Sequence, residues 1–158
     1  MSQLSQYEVI LGYALEKFDT IVAILSQMDD ETANTALPVA GSNSPYVILT
    51  HCLGMMRRWS STVNLGRPVP RDRAAEFRAR GLLPTLLAEA ARVREAFIRD
   101  VEATDLDAAP ADLPQGPRPA YQLADCRAVL LHVIEELAQH LGHLEITRDL
   151  LAQTTDPA

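Results

Sequence analysis

The chain has few of the residues that would indicate a disulfide-rich, membrane-spanning or nucleic-acid-binding protein. Its 158 residues include only two cysteines, too few for a disulfide framework in a chain of this length. No uninterrupted apolar run approaches the roughly 20 residues that a membrane-spanning helix needs. The formal net charge is −7, and Lys17 is the only lysine among the 14 basic residues. This acidic balance argues against a nucleic-acid-binding protein, because such proteins usually present a basic surface.

Aromatic residues are also scarce, at 5%, whereas alanine and leucine are plentiful, and this composition favours helices over sheets. The apolar fraction of 47% and the charged fraction of 22% are typical of a soluble globular protein. The first residues, MSQLSQYEVI, lack the basic segment that opens a signal peptide. We therefore expect a cytoplasmic protein, and the preference for arginine over lysine suggests a bacterial source with a GC-rich genome.

Four stretches with apolar residues at three- and four-residue steps predict four long helices. The predicted helices cover approximately residues 4–28, 45–64, 82–102 and 122–152. Polar segments rich in proline and glycine separate them. This pattern predicts an all-α protein in which residues 1–158 form one four-helix bundle domain. The connections are long compared with the roughly 2–8 residues usual in bundles, which favours a functional site near one end.

The fourth helix contains the segment HVIEELAQHLGH, in which five side chains are candidates for a functional site. At about 100° per residue, Glu136 and His140 lie one turn apart at the border of the apolar stripe. His132 and His143 continue the same ridge on its outer side, whereas Glu135 points away from it. The i, i+4 spacing allows two side chains to bind one ion. A polar bundle edge with a Glu–His hydrogen bond would give the same pattern.

The second helix adds one histidine at the corresponding border of its own apolar stripe. His51 alone would more commonly be a satisfied histidine at the edge of the core than a metal ligand. However, a histidine from one helix and a Glu/His pair from another can converge inside a bundle, as they do in known bundle metal sites. Three such ligands leave open positions on zinc, nickel or iron. The spacing alone leaves both interpretations open.

Two segments carry a resemblance to a known superfamily. SPYVILTHCLGMMRRW, followed much later by IEELAQHLGHLEITRDLL, resembles the DinB-like superfamily of metal-binding four-helix bundles. Its pattern is one histidine early in the second helix, then H/E-x-x-x-H in the last helix, with a glycine two residues further on. The matching positions here are His51, Glu136 and His140, followed by Gly142. The resemblance implies that the first three bind a divalent metal, with zinc first and nickel or iron as alternatives.

The superfamily includes bacillithiol S-transferases and the metal-binding domain of mycothiol-dependent maleylpyruvate isomerase. A glutamate as the middle ligand, instead of the commoner histidine, resembles the mycothiol-linked branch. We do not expect isomerisation of maleylpyruvate itself, because the C-terminal domain of that isomerase has no counterpart after the fourth helix. Mycothiol is therefore the thiol cofactor that the resemblance implies.

The resemblance implies a metal-dependent thiol transferase or isomerase-like enzyme, in which the open metal position activates a thiolate toward a small electrophile. His143 or His132 would then act as a second-shell group or proton carrier. Two alternatives stay open, a non-catalytic metal-binding or dimerising bundle and a metal-dependent hydrolase. Bundles of this type often pair through their helices, so a homodimer is also expected, and no nucleic-acid or membrane partner is.

A local run of basic residues in this acidic protein has two interpretations. Arg57 and Arg58 are the candidates for cofactor binding, and Arg67, Arg71 and Arg73 follow them. The run either forms a solvated face that pairs with carboxylates such as Asp72 and Glu76, or it recognises a carboxylate-bearing substrate or the thiol cofactor. Cys52, next to His51, lies nearer the centre of the apolar stripe, and we expect it to pack in the core rather than act as a nucleophile.

Overall fold

The computed structural model describes residues 4–155, and within that range the chain forms helices and no strand. Four long helices form the bundle: α1 (Gln6–Leu25), α3 (Pro45–Arg57), α5 (Leu83–Glu102) and α6 (Cys126–Thr155). Two short helices, α2 (Asp30–Asn34) and α4 (Arg73–Glu76), lie in the connections between them. The predicted all-α four-helix bundle is therefore confirmed. No helix in the described range is long and apolar enough to cross a membrane.

Polar side chains define where most of the helices begin. Ser5 accepts a hydrogen bond from the backbone N–H of Glu8, whose carboxylate in turn accepts one from the Ser5 backbone, which makes a capping box. Ser44 caps α3 ahead of Pro45, a residue well suited to the first turn. The predicted loops contain α2 and α4 because Asp29 and Asp72 cap these short helices in the same way.

The second predicted helix is not α-helical throughout. After α3 the chain continues as a π-helical segment, Arg58–Asn64, and Gly66, two residues further on, has a left-handed conformation (φ +63°). The polar side chains of this segment after Arg58 are buried, and Ser60 donates to the Asp100 carboxylate while Asn64 donates to the carbonyl of Cys126. These hydrogen bonds satisfy polar groups that would otherwise destabilise the core.

The packing of the bundle places α3 next to α6. Both α1 and α3 pack against α5 and α6, and their interior is filled by large side chains that are almost wholly inaccessible to solvent. These include Phe18, Ile21, Leu25, Ile48, Leu49, Met55, Met56, Phe97, Leu130, Leu137 and Leu144. Because α3 and α6 are neighbours, polar residues at the borders of their apolar stripes can meet across the interface.

Removing a large side chain from this core should be costly. We expect Phe97→Ala to lower the free energy of unfolding by about 3–5 kcal/mol, because Phe97 is fully buried and the cavity left behind would be only partly refilled. Chemical denaturation followed by circular dichroism would measure the change. Ile146→Ala is the control, because Ile146 is 63% exposed, and a similar loss in both variants would contradict the assigned core.

Candidate metal centre

Three side chains from α3 and α6 converge at the interface between these helices. His51 comes from α3, and Glu136 and His140 come from successive turns of α6. Glu136 Oε2 lies 3.8 Å from His51 Nε2 and 3.6 Å from His140 Nε2. One nitrogen or oxygen from each residue falls within 4.8 Å of the other two. The structure thus brings together the three residues that the sequence selected.

The separations are better suited to sharing an ion than to direct hydrogen bonds. Distances of 3.6 and 3.8 Å exceed the usual limit for a hydrogen bond between nitrogen and oxygen. Two ligand atoms that are each about 2.0–2.2 Å from a tetrahedral zinc lie roughly 3.3–3.6 Å apart. The Nδ1 atom of His140 is buried and has no hydrogen-bond partner within the described range. Two imidazoles and one carboxylate also form a donor set that zinc accepts, so these residues fit a divalent metal.

A carboxylate behind His51 fixes the orientation of its ring. Glu76 is buried, and its Oε2 lies 3.0 Å from His51 Nδ1. Arg71 donates two hydrogen bonds to the same carboxylate, from Nε at 2.6 Å and from Nη2 at 2.8 Å. With Glu76 accepting from Nδ1–H, the Nε2 atom of His51 is left free to bind a ligand at the cluster. This is the arrangement of carboxylate and histidine that commonly supports a metal ligand.

Glu76 is a residue of the site that the sequence pattern does not indicate. The pattern suggests only a carboxylate paired with a solvated arginine, whereas the Arg71–Glu76 pair is largely buried and contacts His51. The one sequence feature that could have indicated a buried group here is Gly54, the glycine one turn after His51. A Cβ atom added to Gly54 would lie 2.0 Å from Glu76 Oε1, so a larger residue there leaves no room for the carboxylate.

The charges of the cluster favour an anionic carboxylate. The imidazole of His140, followed by that of His51, holds the pKa of Glu136 far below its usual range. Burial by itself lowers the pKa of His51, but the carboxylates of Glu136 and Glu76 raise it by more, so the net shift is upward. Glu136 therefore remains ionised at neutral pH, as a metal-binding carboxylate must be.

A cavity of about 300 Å³ opens next to the cluster. His51 and Glu136 line it, and Met55 and Trp59 contribute apolar surface. The rest of the lining is mostly basic and consists, within the described residues, of Arg58, Arg71, Arg73, Pro114, Arg118 and His132. The cavity is thus a small polar chamber lined by two of the three candidate ligands.

The sequence of residues 10–153 matches the model of a protein family described as mycothiol-S-transferase. The chain belongs to this family. The match extends from α1 to α6 and includes all three residues of the cluster, and it confirms the resemblance to the DinB-like superfamily. Comparisons with curated proteins and with solved structures found no match.

The remaining histidines of this mycothiol-S-transferase family member differ in their surroundings. His132 is buried and lines the cavity; its Nδ1 lies 3.1 Å from Glu135 Oε2 and its Nε2 lies 3.8 Å from Glu136 Oε1. Glu135 was expected to point away from the site, and its side chain is 62% exposed, yet it contacts His132. His143 lies further out, with its ring centre 6.4 Å from that of His140, and burial lowers its pKa.

The two arginines singled out for cofactor binding have different roles in the structure. Arg58 lines the cavity and lies 3.4 Å from Asp112. Arg57 instead forms an ion pair with Asp100 of α5, a buried carboxylate that also accepts from Ser60. Cys52 is buried in the core, as expected, and burial raises the pKa of its thiol, so it remains protonated.

The close approach of Gly54 to Glu76 gives a test of this arrangement. We expect Gly54→Ala to lower the free energy of unfolding by about 1–3 kcal/mol, because the added methyl group collides with the Glu76 carboxylate. Glu76→Ala is itself destabilising, because it leaves Arg71 without its buried partner. The losses in Gly54→Ala and Glu76→Ala should therefore be less than additive in the double variant, where the collision is absent, and denaturant titration of all three variants would measure this.

Gly142→Ala is the matched control. Gly142 also lies inside a helix, but no atom lies within 4 Å of the position of an added Cβ. Alanine is the better helix former, so the free energy of unfolding of this variant should rise by about 0.5–1 kcal/mol. Equal effects at the two glycines would contradict the placement of Glu76.

Proposed function

We propose that this protein is a metal-dependent mycothiol S-transferase in which His51, Glu136 and His140 bind a divalent ion. The observation that carries the proposal is the convergence of three possible ligand atoms beside a cavity that His51 and Glu136 line. Membership of the mycothiol-S-transferase family supports mycothiol as the thiol. Zinc is the expected ion, with nickel and iron as alternatives, because three protein ligands leave a position open for substrate.

When bound, the ion would favour the thiolate form of the thiol, which is the nucleophile in S-transfer. The protein's own residues then have separate tasks. Glu76 holds the His51 ring, and Arg71 holds Glu76. Met55 and Trp59 give the cavity an apolar wall that limits the access of water to the nucleophile.

His132 is the residue best placed to receive the proton that the thiol releases. Its Nδ1 is engaged by Glu135, and its Nε2 faces Glu136 beside the cavity. The edge contact between its ring and Trp59 restricts the ring to this orientation. Between the two histidines proposed as proton carriers, this geometry favours His132 over His143, which lies outside the cavity lining.

Metal content should follow the three proposed ligands. We expect the wild-type protein, purified without chelator, to contain close to one metal ion per chain, and His51→Ala and His140→Ala to lose it. Elemental analysis of the folded proteins would measure this. His143→Ala serves as the matched control on the same helix and should retain the metal; loss in all three variants would contradict the ligand set.

Glu76→Gln should weaken the binding of the same metal without abolishing it. Loss of a carboxylate behind a histidine ligand typically costs about 10–100-fold in metal affinity. Competition with a chromogenic chelator would give the affinity. Glu145→Gln, at an exposed position of α6, is the control, and equal affinities in the two variants would show that Glu76 does not support the site.

Conjugation of mycothiol to a small neutral electrophile such as iodoacetamide would test the activity. The thiolate sulfur forms a bond to carbon as iodide leaves, and the metal-loaded protein should accelerate this reaction well above the uncatalysed rate. His140→Ala should reduce the rate to background. A stoichiometric metal without thiol conjugation would favour a non-catalytic metal-binding bundle, and metal-dependent ester cleavage in its place would favour a hydrolase.

A further inference from the structure

We propose that the cavity selects an electrophile that carries a carboxylate group, and that Arg73 and Arg118 bind this carboxylate. The inference rests on the proposed S-transferase function and adds the class of its second substrate. Among the described residues that line the cavity, four are arginines and only Glu136 is a carboxylate. In a chain with a net charge of −7, such a local excess of positive charge is not a consequence of composition.

The four arginines differ in how far their charge is already compensated. The charge of Arg71 is compensated, because it donates two hydrogen bonds to the buried Glu76. Arg58 lies 3.4 Å from Asp112, a half-exposed carboxylate. Neither Arg73 nor Arg118 forms an ion pair with any residue in the described range, residues 4–155. The uncompensated positive charges of the cavity are therefore the guanidinium groups of Arg73 and Arg118.

Aromatic rings hold both of the unpaired guanidinium groups in position. The Arg118 guanidinium lies over the Trp59 ring, 4.5 Å from its centre, and that of Arg73 lies over Phe77 at 5.2 Å. A guanidinium attracted to the face of a ring keeps its N–H groups available. Its planar fork can then donate two parallel hydrogen bonds to a carboxylate. Because the ring already restricts the arginine side chain, binding costs that side chain less conformational entropy.

The charged residues that line the cavity divide between the two substrates. Glu136 belongs to the proposed metal site, where the thiol would bind. Trp59 is part of the wall and carries Arg118, so an anion held by Arg118 would lie in the same chamber as the activated sulfur. A volume of about 300 Å³ favours a small acid over a large substrate.

A matched pair of electrophiles tests the proposal, because iodoacetate and iodoacetamide react with thiols by the same displacement of iodide but differ in charge. For the metal-loaded full chain with mycothiol, kcat/KM is measured for each electrophile, and the value for iodoacetate is divided by that for iodoacetamide. The corrected ratio is this quotient divided by the same quotient of the uncatalysed rates. We expect a corrected ratio well above one. Arg118→Gln and Arg73→Gln should each reduce it at least tenfold, through a higher KM for iodoacetate.

Arg92→Gln is the control, because Arg92 is exposed on α5 and pairs with Glu89; its ratio should equal that of the wild type. An unchanged ratio in Arg118→Gln and Arg73→Gln would overturn the proposal. So would a rise in the KM for mycothiol without a change in the ratio, because it would assign the arginines to the thiol.

Binding of succinate to the metal-loaded protein, measured by calorimetry, provides a test that does not depend on turnover. Saturable binding that is lost in the two arginine variants would support the carboxylate site even if no S-transfer were observed, in which case only the proposed function would fail. Absence of binding, tighter binding of inorganic phosphate, or succinate binding that survives both arginine substitutions but is lost in His140→Ala would each overturn it.

Discussion

The structure of the site depends on one buried imidazole held between two carboxylates. His51 has Glu76 on its Nδ1 side, at 3.0 Å, and Glu136 on its Nε2 side, at 3.8 Å. The first contact is a hydrogen bond backed by Arg71, and the second leaves room for an ion. Because a carboxylate bound at Nδ1 selects which nitrogen is free, Glu76 determines that Nε2 faces the chamber. The packing of α3 on α6 only brings His51 close to Glu136.

The fold and the three clustered side chains could be predicted because they follow local periodicity. Helical spacing placed Glu136 and His140 on one ridge and His51 at the border of another, and the resemblance to a known superfamily joined the two helices. Glu76 could not be found in this way. It lies outside the long helices, and its burial depends on a missing side chain at Gly54, an effect of tertiary contact rather than of sequence period.

The arginines are a second case in which the sequence pattern does not predict which residues reach the site. Sequence proximity grouped Arg57 and Arg58, but adjacent residues on a helix point about 100° apart. One of them pairs with Asp100 in the core, and the other lines the cavity. Arg118, about 60 residues later, joins the cavity because the long connection before α6 returns to the bundle, where the backbone N–H of Asp112 donates to the carbonyl of Val63. The spacing of residues within one helix does not predict that a distant connection packs against that helix.

The long connection also separates two parts of the site that can change independently. The three clustered side chains, His51, Glu136 and His140, lie on the packed helices α3 and α6, where replacing one side chain disturbs its neighbours in the core. Arg118 lies instead on the stretch between α5 and α6, which is anchored on either side of it by backbone hydrogen bonds, from Asp112 to Val63 and from Cys126 to Ala108. Insertions or replacements between those anchors would leave the bundle intact. The connection that carries Arg118 can therefore vary in sequence and length while the cluster of His51, Glu136 and His140 keeps its geometry.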